Sequence, residues 1–133
     1  MLNFSPNLVA GGTINPYRIV KMDTTAFQGV AASAAADYVV GVTDGSTRRF
    51  DATAHAQAAT ATSAADPISL QPSNVVQIEA GGNITAGLGL IPSTGGVAIT
   101  AAGTGNVPMF VALEAAASGQ IFWAYRLPAT KAL

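Results

Sequence analysis

From Asp66 onward the sequence is a succession of apolar runs only a few residues long, each closed by glycine, proline or serine. That spacing leaves no room for helices of ordinary length and points to short β-strands joined by tight turns, as in a sandwich or small barrel. The runs fall at 67–70, 75–79, 88–91, 97–100, 109–113 and 121–126. Their turn signals are Gly81-Gly82, Pro92-Ser93-Thr94-Gly95-Gly96 and Ser118-Gly119. In the last run Ile121, Trp123 and Tyr125 share one face and Phe122 and Ala124 the other, so both faces are apolar. The pattern assigns this run to a central strand or a subunit contact, with Trp123 and Tyr125 read chiefly as core.

Upstream the signal is sparser. Residues 17–23 set Tyr17, Ile19 and Lys21 against Arg18, Val20 and Met22, the alternation of a strand. Residues 38–42 form a second β-branched run, ended by Asp44-Gly45. The alanines at 31–36 favour a helical turn or two but run straight into that strand, so their propensity is expected to lose to its surroundings. Residues 1–16 mix Asn, Ser, Pro and Gly with isolated hydrophobes, including Phe4 and Leu8, and read as an extended N-terminal arm. Residues 46–65, rich in Ala and Thr, are the least patterned part and read as a surface loop or short helix. No residue pattern repeats at the period of about 20 to 50 residues expected of a solenoid or propeller. The expected architecture is mainly β: a compact β-barrel or sandwich of short antiparallel strands, with the arm at 1–16, one domain at 17–133, and a loop insertion at 46–65.

Composition narrows the partners. Only 10% of the residues are charged, against about 25% in an ordinary soluble domain. Interspersed charges keep monomers apart, so their scarcity implies a surface covered in an assembly. A net charge of −1 gives no field for phosphate backbones or anionic lipid, which argues against nucleic acid and membrane partners. The N-terminus lacks the basic start and apolar stretch of a secretory signal, and no run of about 18 apolar residues could span a bilayer as a helix. A protein made and kept in soluble form is expected.

Catalytic chemistry finds little support. His55 is the sole histidine and sits in the Ala-Thr tract, where a solvated loop position explains it. With no cysteine there is no thiolate metal site, disulfide or cysteine nucleophile. Asp37, Asp44, Asp51 and Asp66 are scattered between strands, and the Gly-Gly pairs at 11–12, 81–82 and 95–96 lack the Lys-Ser/Thr of a phosphate cradle. No catalytic residue, metal or cofactor is therefore assigned. Arg48-Arg49, followed by Phe50, is either a solvated turn or a forked donor with an aromatic anchor for an acidic patch on a protein partner.

Three segments together carry a resemblance. They are Tyr38-Val39-Val40-Gly41-Val42, the stretch from Asp66-Pro67-Ile68-Ser69-Leu70 through Val75-Val76-Gln77-Ile78-Glu79-Ala80-Gly81-Gly82-Asn83-Ile84-Thr85-Ala86-Gly87, and Phe110-Val111-Ala112-Leu113-Glu114-Ala115-Ala116-Ala117-Ser118-Gly119-Gln120-Ile121. Their order resembles the small capsid decoration, or cement, proteins of tailed bacteriophages, over roughly two thirds of the chain. The Ala-Thr tract and the arm depart from that pattern. The resemblance implies a barrel-like β fold, a homotrimer on the capsid exterior, the major capsid protein as partner, and no catalytic residues. Repeated contacts in such a trimer raise avidity even where each is weak. Residues 1–16 and 46–65 are expected to contact capsid or neighbour, with 67–127 as the body. Phe4, Leu8, Tyr17, Arg48, Arg49, Phe50, Trp123 and Tyr125 are the candidate contact residues. The competing reading is a carbohydrate-binding or adhesion module, for which exposed aromatics on loops are expected.

Overall fold

The computed structural model describes residues 8–34, 37–45, 50–51, 56–57, 68–102 and 107–127. Among these lie strands β1 (Val9–Ala10), β2 (Ile19–Met22), β3 (Gln28–Ala31), β4 (Val39–Val42), β5 (Phe50–Asp51) and β6 (Ala56–Gln57). They continue with β7 (Val75–Glu79), β8 (Gly89–Pro92), β9 (Ala98–Thr100), β10 (Phe110–Ala112) and β11 (Ile121–Arg126). The only helical element among the described residues is a 3-10 turn at Thr94–Gly96. The chain is mainly β, as the short alternating runs predict.

Two sheets carry the fold: a four-stranded one in the order β1-β3-β2-β4, and a five-stranded one in the order β7-β11-β10-β8-β9. All pairings are antiparallel except β1 with β3. Neither sheet closes into a continuous barrel. Each curls until its edges are stitched by single contacts. In the first, Leu70 bridges Thr43 beside β4, and the Ile68 N–H reaches the Leu8 carbonyl at 3.0 Å. In the second, Ala80 at the end of β7 bridges Ala98 of β9. The two curled sheets pack together in a sandwich-like arrangement.

The sheets are one motif written twice. Ala10-Gly11-Gly12-Thr13-Ile14 returns as Ala80-Gly81-Gly82-Asn83-Ile84, and in both copies the Ala and Ile are buried. The Gly11 N–H donates to Gly29 O at 2.9 Å, and the Gly81 N–H to Ala98 O at 2.8 Å. The Ala32 N–H donates to Ile19 O at 2.8 Å, and the Ala101 N–H to Gly89 O at 2.9 Å. The β2–β4 register pairs Ile19 with Val42 and Val20 with Gly41, matching Gly89 with Val111 and Leu90 with Phe110 between β8 and β10. Even the positive backbone angles coincide: Tyr17 (φ 59°) with Gly87 (φ 86°), and Phe27 (φ 59°) with Gly96 (φ 82°). The first copy puts two non-glycine residues in the left-handed region, a local cost of about 1–2 kcal/mol each.

The copies differ mainly in one insertion. The Asp44 N–H bonds Ser69 O as the Leu113 N–H bonds Trp123 O. Twenty-five positions separate the first pair and ten the second, so the first unit carries an extra segment across 46–65. The four described residues there pair as the antiparallel hairpin β5–β6, in place of the expected loop or helix.

One further expectation changes and one holds. From Leu8 onward the expected arm is folded structure, because β1 pairs with β3 and both Ala10 and Ile14 are fully buried. Residues 1–7 lie outside the described residues. The body therefore includes residues 8–45 as well as 68–127. The alanine tract forms no helix among its described residues: Ala31 closes β3, and the Asp37 carboxylate accepts from the Ser33 and Ala34 N–H groups at 2.8 and 3.0 Å. Those local bonds satisfy the backbone without a helical ladder.

The first unit keeps its own small cluster of Ala10, Ile14 and Val20, with Ile68 and Leu70 packed against it. Ile19, Ala32 and Val42 point the other way and join the larger cluster of the second unit around Phe110, Phe122 and Ile78. The joint between units is tied by polar groups at its rim. Arg18 forks to Gly95 O and Glu79 Oε2, both at 2.9 Å, while the Glu79 N–H reaches Tyr17 O at 2.9 Å. The Gln71 side chain donates to Gln77 O at 2.7 Å and accepts from the Gln77 N–H at 2.8 Å. Arg126 donates to the carbonyls of Val39 and Val40 at 3.2 and 3.1 Å. Bound this way, the outer edge of β7 is not free to recruit another strand.

Candidate interaction face

Strand alternation decides which side chains reach solvent on the second sheet. β11 buries Phe122 and Ala124 and turns out Ile121, Trp123 and Tyr125, with Trp123 45% exposed. Val75 of β7 lies across from Tyr125 and is exposed, as is Leu113 just past β10. Val111, half-buried, flanks Tyr125 from the other side. Two contacts hold the centre of this face. The Trp123 N–H donates to Glu114 Oε2 at 3.0 Å, and the Leu113 N–H to Trp123 O at 3.0 Å. Gly119, at φ 87°, makes the turn that feeds the strand.

The result is a contiguous outward patch of Val75, Val111, Leu113, Ile121, Trp123 and Tyr125, with no cation on it among the described residues. Scattered apolar residues on a surface are ordinary, but clustered aromatic and branched side chains on one sheet face mark an interaction site. Covering a large apolar side chain contributes about 1.5–3 kcal/mol when it goes from fully exposed to buried, so half-exposed ones offer roughly half that each.

The sequence-derived contact residues fall in different places. Trp123 and Tyr125 are surface residues, not core; the apolar inner face of β11 belongs to Phe122 and Ala124 alone. Tyr17 sits at the joint, with its N–H on Thr43 O at 3.1 Å and its ring end against Gly45. Leu8 is half-buried at the seam of the first sheet rather than on an arm. Phe50 opens β5 through its backbone pairing with Gln57. Phe4, Arg48, Arg49 and His55 lie outside the described residues. The structure thus brings Trp123 and Tyr125 together and leaves Tyr17 and Leu8 elsewhere.

Sequence reasoning missed Leu113, Phe27 and Leu88, all exposed, the last two 56% and 45%. Leu88 and Leu113 stood in runs read as strands, where one residue of register separates inside from outside. Phe27 stood between the two strands of an unrecognised hairpin.

No family model and no curated protein matches the chain. Among solved structures, similarity is found at the level of the fold. The chain resembles the N base of head fiber gp8.5 in bacteriophage phi29. The superposition has a TM-score of 0.56 at 16% sequence identity, covering 92% of this chain and 96% of that one. The likeness therefore extends over both units and leaves almost nothing of the fiber base unmatched.

Proposed function

We propose that the chain is a non-enzymatic structural protein of a bacteriophage virion, attached to the outside of the head as a symmetric oligomer, a homotrimer in the simplest case. The observation that carries this reading is the near end-to-end likeness in fold to a head fiber base. The outward patch around Trp123 supports it, as does the low charge content, since both suit a molecule whose surface is covered in an assembly. Its role is that of a clamp on the major capsid protein. By binding only the expanded shell, it stabilises that shell by mass action, as any ligand favours the state it binds.

The experiment is co-sedimentation with emptied phage heads, paired with light scattering of the free protein. The protein should pellet with the heads in saturable amounts and run as an oligomer alone. A chain that stays in the supernatant at every concentration overturns the reading. Trp123 also suits stacking on a sugar ring, with Glu114 at its N–H and Gln77 across from it as polar neighbours. Binding on a glycan array without binding to heads would favour that alternative.

A further inference from the structure

The internal duplication gives a physical handle on how one copy meets another. The joint inside the chain is heterologous: it uses one face of the first unit and a different face of the second. The first unit contributes Arg18, Ile19, Val42 and Gln71, and the second contributes Glu79, Gly95 and Gly96. Gly96 is seated so closely that an added Cβ would lie 2.7 Å from Ile19 O. Each unit therefore also carries the counterpart of the face that only the other unit uses, and both counterparts keep exposed residues, although Pro108 packs over Gly89 within the second unit.

Burial follows this logic residue by residue. Ile19, Ala32 and Val42 are fully buried at the joint, whereas their equivalents Gly89, Ala101 and Val111 in the second unit are only half-buried. On the opposite face Pro92 and Gly96 are buried, whereas their equivalents Met22 and Phe27 in the first unit are exposed. The chemistry of the open faces also changes in one direction. Arg18 is replaced by Leu88 and Gln71 by Tyr125, while Gly96 is replaced by Phe27 and Glu79 by Val9. Polar residues that tie the internal joint thus give way to apolar ones on both free ends. An apolar knob, Phe27 with Met22, stands at one end of the chain. An apolar seat of Leu88, Val111, Leu113 and Tyr125 stands at the other.

We infer that the partner of the Leu88–Tyr125 face is the Phe27 face of a second copy of this chain, so that copies join head to tail and continue the stacking already present between the two units. A heterologous contact of this kind closes into a ring when the rotation between units divides a full turn, and otherwise runs on as a filament. This deepens the proposed oligomer by naming its contact. Its test does not depend on binding to heads.

The chain has no cysteine, so single thiols can be placed freely. Phe27→Cys and Leu88→Cys, each purified alone and then mixed under mild oxidant, should give a disulfide between the two variants and little within either one. The double variant should cross-link into a ladder or closed ring on denaturing gels. Phe27→Asp and Leu88→Asp should each weaken self-association by about 100-fold or more, the scale of losing a central anchor. Mixing these two charged variants leaves one intact seat and one intact knob, so the mixture should stop at a dimer. Far-UV circular dichroism on each variant establishes that it is folded. Self-linking of Leu88→Cys alone would show a two-fold contact and overturn the inference. So would association that is indifferent to Phe27→Asp, or a wild-type chain that remains a monomer at every concentration. Failure to bind heads with these contacts intact would instead count against the virion role.

Discussion

Gly96 and Gly119 share a left-handed backbone, at φ 82° and 87°, yet their surroundings differ completely. A Cβ on Gly96 would meet Ile19 O at 2.7 Å, Arg18 Cβ at 3.0 Å and Ile19 N at 3.1 Å, whereas around Gly119 nothing lies within 4 Å. Replacing either by alanine costs about 1–2 kcal/mol for the positive φ. Both gain equally from the stiffer unfolded chain, about 0.4–1 kcal/mol, so that contribution cancels in the comparison. Gly96→Ala must in addition push apart two backbones at the joint, and overpacking of this kind costs about 1–3 kcal/mol more. Urea denaturation followed by circular dichroism measures the pair. With a slope of about 2 kcal/mol per molar, Gly119→Ala should lower the midpoint by at most about 0.8 M, and Gly96→Ala by roughly 0.5–1.5 M more than that. Equal shifts would mean that the two units do not approach each other at Gly96, and the account of the joint would fall with that contact.

Asp37 provides a second check. Burial raises its pKa, but the N–H groups of Ser33 and Ala34 and the Lys21 ammonium outweigh this and hold the carboxyl below the ordinary aspartate value. Because the folded pKa is depressed, the contribution of Asp37 to stability is present above the unfolded-state value and is lost as the pH falls through the folded one. Carbon-detected NMR should place its midpoint below the ordinary aspartate value, and a midpoint at or above that value would refute the bonding described. Trp123 is the only tryptophan and lies half-exposed on the outward patch. Its fluorescence should therefore move to shorter wavelength as the protein self-associates or binds heads, and an unchanged spectrum on assembly would show that this face stays wet.

Strand content was legible because it rests on local alternation. Residues 75–79 and 121–126 are strands over the same bounds that the sequence suggests, and 97–100 and 109–113 differ only at their ends. Which face of β11 is buried was not legible. Phe122 and Ala124 on one side and Ile121, Trp123 and Tyr125 on the other are both apolar, and only the presence of a second layer settles the matter. β3 escaped notice because Gln28-Gly29-Val30-Ala31 has a single β-branched residue, and its strand is imposed by pairing with β2. The duplication was visible in principle, since Ala-Gly-Gly-x-Ile occurs at 10–14 and again at 80–84. Read separately, the Gly-Gly pairs say only that the chain turns. Their equivalence emerges from backbone bonds that the 46–65 insertion displaces along the sequence. The same applies to the candidate site: Phe27 and Leu88 become conspicuous only when set beside Gly96 and Arg18.

Only Pro72, Ser73 and Asn74 separate Gln71, which is anchored at the internal joint, from the start of β7. So short a tether keeps the two halves of a chain at a millimolar-scale effective concentration of each other. The contact within a chain therefore forms at any dilution, while the proposed contact between chains would have to wait for copies to accumulate. A nascent chain would fold to completion as an inert piece, and growth would begin only when synthesis carried the pool past the threshold set by the apolar ends.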